Sequence, residues 1–272
     1  MTSEAKQGFK SKIEQITSHS GCTYRNEEME PEKIESLDPQ SDFHKFLCDF
    51  CVSHALFLSP VTMLGEDDRK FYGDPVFIEH MTVGLNERDK ADRYVTFLNE
   101  IKQEYILGRY FLVQSQFSIP ELDVVDEGVL LVYPLDYSLH SVYIQLLKAS
   151  LKQAISVLDK VAYFLYDYCK MKTPASDKVS FLQIWGGGDR LPKQLRSFEN
   201  PYLLALFYLA RDVAKSGEWN FIYQHRNALT HRFLVLHDMD LGQQQANSDI
   251  PRAQEDNFTN QVIFATKLHV QR

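Results

Sequence analysis

The sequence predicts a mainly α protein, an antiparallel helical bundle with an N-terminal extension of helix and irregular chain. Three observations lead there. Apolar residues recur at alternating spacings of four and three over two long stretches, which is the signature of one buried helix face. Only 12 Gly and 10 Pro occur in 272 residues, too few for a loop-rich chain. The 18 Phe and 14 Tyr supply broad aromatic surfaces for packing between helices.

The elements follow in order. Residues 5–17 are expected to form a short helix, and residues 25–39 a charged, proline-containing stretch. A helix then runs from Ser41 or Asp42 to His54 and stops before Ser59-Pro60. Gly65, Gly73, Pro75 and Gly84 mark residues 61–86 as an irregular surface segment. Residues 1–85 are thus read as an extension packed on the bundle, and residues 86–272 as the bundle domain. From Asn86 to Phe117 the stripe is Tyr94, Leu98, Ile101, Tyr105, Gly108 and Leu112, with Gly108 suggesting a close helix approach or a kink. Residues 128–133 are a short apolar run that suits a strand or a packed connector. A second long helix is expected from Ser138 to Met171, its stripe being Ile144, Leu147, Leu151, Ile155, Leu158, Ala162 and Leu165. A short helix is expected at 177–184. Asn200-Pro201 supplies an N-cap and a first-turn proline for a helix reaching Ala214. After Gly217 a helix is expected from Glu218 to Leu236, docked through Ala228, Leu229, Phe233 and Leu236, and a last amphipathic piece from Phe258 to Val270.

Composition excludes several classes. No stretch approaches the roughly 20 apolar residues of a membrane span. Met1-Thr2-Ser3-Glu4-Ala5-Lys6 is not followed by an apolar signal core. Four cysteines without a framework of spacings suit a reducing compartment. The expectation is a soluble cytoplasmic protein with no membrane partner. The net charge of −8 repels RNA, so an RNA-directed activity needs a local basic patch.

Chemistry concentrates in Arg226-Asn227-Ala228-Leu229-Thr230-His231-Arg232. On a helix, Asn227 and His231 share one face, while Arg226 aligns with Thr230. An always-charged guanidinium, an amide and an imidazole within about two turns can grip a phosphodiester and move a proton near neutral pH. His225, Thr230 and Arg232 flank the trio and are the expected RNA contacts. Read without context, the same residues are an ordinary polar stripe on a solvated helix.

This heptapeptide resembles the R-x(4–6)-H signature of the HEPN superfamily, including the polar residue directly after the arginine. Phe50-Cys51-Val52-Ser53-His54-Ala55-Leu56-Phe57-Leu58-Ser59-Pro60 also resembles the lead-in of a HEPN branch often found behind helical repeats. The resemblance spans roughly residues 40–236. It implies a compact helical bundle, a homodimer and a metal-independent endoribonuclease of the toxin–antitoxin, antiviral-defence or RNA-processing kind. RNA is then the substrate, with an antitoxin or sensor as a further partner and no cofactor. His231 would be the general acid or base, Arg226 would stabilise the phosphorane charge, and Asn227 would orient His231 or the phosphate. The products would be a 2′,3′-cyclic phosphate and a 5′-hydroxyl end. Two rival readings are a catalytically silent HEPN module that binds RNA, a nucleotide or a protein, and a structural helical adaptor.

Other clusters read as structural. His44, Cys48, Cys51 and His54 lie on one helix, which cannot converge four ligands on a zinc ion, so no metal site is expected. Gly186-Gly187-Gly188-Asp189-Arg190 lacks the ending of a phosphate loop and reads as a connector. Glu66-Asp67-Asp68 and the pair Asp123 and Asp126 read as solvated surface.

Overall fold

The structure is a computed structural model that describes residues 39–58, 73–74, 89–132, 137–186, 190–198, 200–238 and 252–267. All of these fall within one unit, Asp38–Arg272. The expected helix at 5–17, nearly all of the stretch 25–39, Glu66-Asp67-Asp68 and Gly187-Gly188-Asp189 lie outside the described residues.

Helix α1 (Asp42–Ser53) is capped by Ser41, whose Oγ accepts the His44 N–H at 3.1 Å. It ends where Ala55 turns left-handed (φ 50°) and the Leu56 N–H reaches back to the Cys51 carbonyl at 2.8 Å. Cys48, Cys51, Leu56 and Phe57 are buried in the main core, so α1 packs on the bundle. Helix α2 (Asp89–Ser115) follows, then the single turn α3 (Pro120–Asp123) and a 3-10 turn at Val124–Asp126. Residues 129–132 form neither strand nor packed connector: Leu130 is 94% exposed and Val132 88%.

Helix α4 (Val142–Tyr168) buries every residue of its expected stripe and packs along α2. The two backbones meet at Gly108. A Cβ there would stand 3.2 Å from Gln153 Cβ, and Ser150 Oγ donates to the Gly108 carbonyl at 2.8 Å. Of the two readings of Gly108, this is the close approach. The N-terminus of α4 is satisfied by Ser141, which accepts from Ile144 N, and by Asp126, whose carboxylate accepts the Val142 N–H at 2.9 Å. Asp123 accepts the Tyr143 hydroxyl at 2.7 Å. These two acids are exposed, as their reading as solvated surface expects, and they also fasten the start of α4. The expected helix at 177–184 is a 3-10 turn at Ser176–Lys178 followed by turns that bury Phe181, Ile184 and Trp185.

The single turn α5 (Lys193–Arg196) leads into α6 (Pro201–Val213), where Asn200 Oδ1 caps the Tyr202 N–H at 2.8 Å and Pro201 opens the first turn as expected. The next helix, α7 (Asn220–His231), stops five residues short of the expected Leu236. The chain leaves α7 because its next residues join a small sheet. Strand β2 (Val235–His237) pairs antiparallel with β1 (Ser138–Leu139) and parallel with β3 (Arg252–Gln254). Leu234 and Leu236 are buried through these strands, whereas Phe233, expected on the docking face, is 76% exposed. Helix α8 (Glu255–Lys267) closes the described chain, burying Phe258, Val262, Ile263 and Ala265 against α4, α2 and the sheet.

Among the described residues no helix is long and apolar enough to cross a membrane. Cys48 and Cys51 are core residues. Burial raises both thiols, Cys51 to about 12, which keeps them protonated. No group of three or more His, Cys, Asp or Glu gathers to hold a metal among the described residues.

Candidate active site

Helix α7 carries the heptapeptide, and its position is set before its chemistry. The turn from α6 is tight: Gly217 N–H donates to Ala214 and Trp219 N–H to Asp212, each at 2.8 Å. A Cβ at Gly217 would overlap the carbonyl oxygens of Arg211 and Asp212, so the turn accepts only glycine. Ile222 and Ala228 are buried on the inner side. Trp219 meets Phe264 of α8 edge-to-face with ring centroids 4.6 Å apart.

His225 faces this inner side. Its ring lies 5.5 Å from Phe258, and its Nδ1 is enclosed without a hydrogen-bond partner. Burial pushes the imidazole below its ordinary range, with Gln261 opposing the shift. The enclosed ring buttresses α7 against α8. The structure does not bring it together with the other flanking residues.

Arg226 sits at the edge of the interface with α4. Its Nη2 lies 3.7 Å from Asp159 Oδ2, and its Nη1 donates to Asn227 Oδ1 at 3.3 Å. The ion pair is long and half-exposed (32% and 28% for the two side chains), so it is a weak restraint. Asp159 is itself fixed, because Oδ1 accepts the Phe181 N–H at 2.8 Å. Burial raises its carboxyl, while that N–H and Arg226 pull it down. Tyr223, one turn before Asn227, has an enclosed hydroxyl with no hydrogen-bond partner. Burial and then Asp159 push its phenol up, against Arg226. A cavity of about 410 Å³ opens on the Asp159 side, lined by Phe97, Glu100, Ile101, Ser156, Lys160 and Tyr163 among others.

Asn227, Thr230, His231 and Arg232 are exposed. Thr230 Oγ1 is tied to the Arg226 carbonyl at 2.8 Å. His231 is the last residue of α7, and its side chain is exposed. Arg232 leaves the helix axis as the C-cap, its N–H donating to Ala228 at 2.9 Å. The helix therefore presents an imidazole, an amide and two guanidinium groups along its outer side and C-terminal end, with a carboxylate behind one of them.

Asp159 and Tyr223 were not expected from the sequence. The signal for Asp159 was present: an acid beside the buried stripe of Ile155, Leu158 and Ala162 has to find a cation or a backbone donor. Tyr223 carries no comparable mark.

A family model described as LA2681-like HEPN matches residues 85–268, about two-thirds of the chain. The match begins beyond α1 and the run from Phe50 to Pro60, and it extends past Leu236 through α8. No curated protein matches, and no solved structure does. Residues α2 to α8 fall within that range, and so does the heptapeptide: the chain belongs to the LA2681-like HEPN family.

Proposed function

We propose that this HEPN protein is a metal-independent endoribonuclease acting through Arg226, Asn227 and His231. The observation that carries the reading is the intact motif on α7, with His231 open to solvent and Arg226 held by one weak, displaceable ion pair. The 2′-hydroxyl of the substrate attacks the adjacent phosphorus and the bond to the 5′-oxygen breaks. His231 takes the hydroxyl proton or protonates the departing oxygen. Arg226 exchanges Asp159 for the phosphate and stabilises its growing charge, and Asn227 orients the group in place. Thr230 and Arg232 touch the flanking RNA, while His225 supports the helix from behind. Two copies of the chain, meeting at their α7 helices, bring two imidazoles to one phosphate, so that one accepts a proton as the other donates.

The test is cleavage of single-stranded RNA by the purified chain, with and without EDTA. Equal rates in both, and fragments ending in 2′,3′-cyclic phosphate, are expected. Activity lost with chelator and restored by magnesium would replace this chemistry with a carboxylate–metal one.

Asp159 provides a second check. Asp159→Asn keeps an oxygen for the Phe181 N–H but removes the charge that competes with phosphate for Arg226. RNA binding is expected to tighten about two- to fivefold, the range of a half-exposed ion pair. Weaker binding in a folded variant would mean that Asp159 positions Arg226 instead of occupying it.

A further inference from the structure

The net charge of −8 makes the whole molecule repel RNA, yet the charge is not evenly spread. Residues 190–215 hold five basic side chains, Arg190, Lys193, Arg196, Arg211 and Lys215, against two acidic ones, Glu199 and Asp212. Within that stretch lies a cavity of about 470 Å³, inside the range of about 300–1,000 Å³ typical of small-molecule sites. Arg190 and Arg196 are among its lining residues, and Arg196 Nη2 donates to the Leu191 carbonyl at 2.9 Å. Its wall is apolar: Leu204 (45% exposed) and Tyr208 (53% exposed) present open faces beside the buried ring of Phe207. Tyr202, on the same helix α6, is 68% exposed.

We infer that this cavity is a nucleotide subsite for single-stranded RNA, with a phosphate on Arg190 and Arg196 and a base stacked on Tyr208. Guanidinium groups beside an open aromatic face are what an unpaired nucleotide needs, since any base stacks and the backbone charge is met locally. The subsite lies outside the α7 heptapeptide, so it holds the strand at a second point. It rests on the RNA-directed reading above, though not on cleavage.

The experiment measures binding of a fluorescein-labelled oligouridylate to the full chain carrying His231→Ala, so that the probe stays intact. Tyr208→Ala is expected to weaken binding at least fivefold, as loss of one stacked base does. Arg190→Glu is expected to weaken it further and to flatten the logarithmic salt dependence by about 0.7, one phosphate contact. Heparin, a polyanion without bases, should lose affinity with Arg190→Glu but not with Tyr208→Ala. Circular dichroism checks that both exposed-site variants stay folded. Unchanged oligouridylate affinity in both variants overturns the subsite, and so does an equal loss of heparin and RNA with Tyr208→Ala. Uridine monophosphate affinity that falls in the variants while oligouridylate affinity holds would mark a free-nucleotide site and also overturn it. In chains that keep His231, RNA bound here but left uncut upholds the subsite and refutes the endoribonuclease. Cleavage with an unchanged KM in both variants does the reverse.

Discussion

Replacing His231 with alanine is expected to slow RNA cleavage by about a hundred- to ten-thousandfold, the contribution of a positioned proton-transfer group. The same change should leave stability within about 0.5 kcal/mol, because the side chain is exposed at the last residue of α7. Arg226→Ala should cost a similar factor in rate, and its effect on stability should also be small, since its pair with Asp159 is long and half-exposed. Rate loss without stability loss is the informative combination. A folded His231→Ala protein that cleaves at the parent rate would remove His231 from the mechanism.

The proposed homodimer has its own test. One α7 offers a single exposed imidazole, whereas a phosphoryl transfer through a cyclic product uses a base and an acid. Mixing His231→Ala chains with Arg226→Ala chains tests whether two copies share a site. Partial recovery is expected, above either variant alone because heterodimers keep one intact imidazole and one intact guanidinium, and below the parent because the second imidazole is missing. A monomer cleaving at full rate would dismiss the shared site.

Much of the helical frame was legible because its cues are local. The stripe from Ile144 to Leu165 is buried at every expected position, and Asn200-Pro201 caps α6 as its residue types demand. Helix α7 shows where local cues end. Arg232 to Leu236 continue an acceptable helical pattern, but Leu236 is completely buried between β1 and β3, one about a hundred residues before it in the chain and the other beyond a polar stretch of sequence. Three-residue strands have too little alternation to announce themselves. His225 illustrates the same limit within the candidate site. Its chain position beside Arg226 suggested a surface cation, yet the 3.6-residue period turns it toward Phe258. The heptapeptide itself was readable as a motif, but the carboxylate behind Arg226 comes from α4, sixty-odd residues earlier, and no spacing rule connects the two.

The largest stability effect is expected at an ion pair far from the motif. Residues 61–86 read as surface from their glycines and prolines, yet Asp74 is drawn inward by Arg109, one position past Gly108 on the buried side of α2. Arg109 is 7% exposed and Asp74 11%, and the guanidinium meets both carboxylate oxygens at 2.7 Å. Arg109 also donates to the Leu56 carbonyl at 3.0 Å, Tyr105 donates to the same oxygen at 2.7 Å, and Leu58 N–H reaches Asp74 at 2.7 Å. The rings of Phe57 and Tyr105 lie 4.9 and 5.7 Å from the guanidinium carbon. The chain just after α1 is thus fastened to α2 through one satisfied polar cluster. Removing either charge leaves the other buried and unpaired, so Asp74→Leu or Arg109→Leu alone is expected to destabilise by about 3–5 kcal/mol. At about 2–4 °C per kcal/mol for a domain of this size, the melting temperature should drop by roughly 10 °C. The double variant should regain a large part of that loss, because no isolated charge remains, while Arg93→Ala, breaking an exposed pair with Asp167, should cost under about 1 kcal/mol. Thermal melts of the four variants decide it. An Asp74→Leu protein that melts with the parent would show that the cluster orients α1 without stabilising the fold, and a double variant no better than either single one would assign the loss to the severed bonds to Leu56 and Leu58 instead of to a stranded charge.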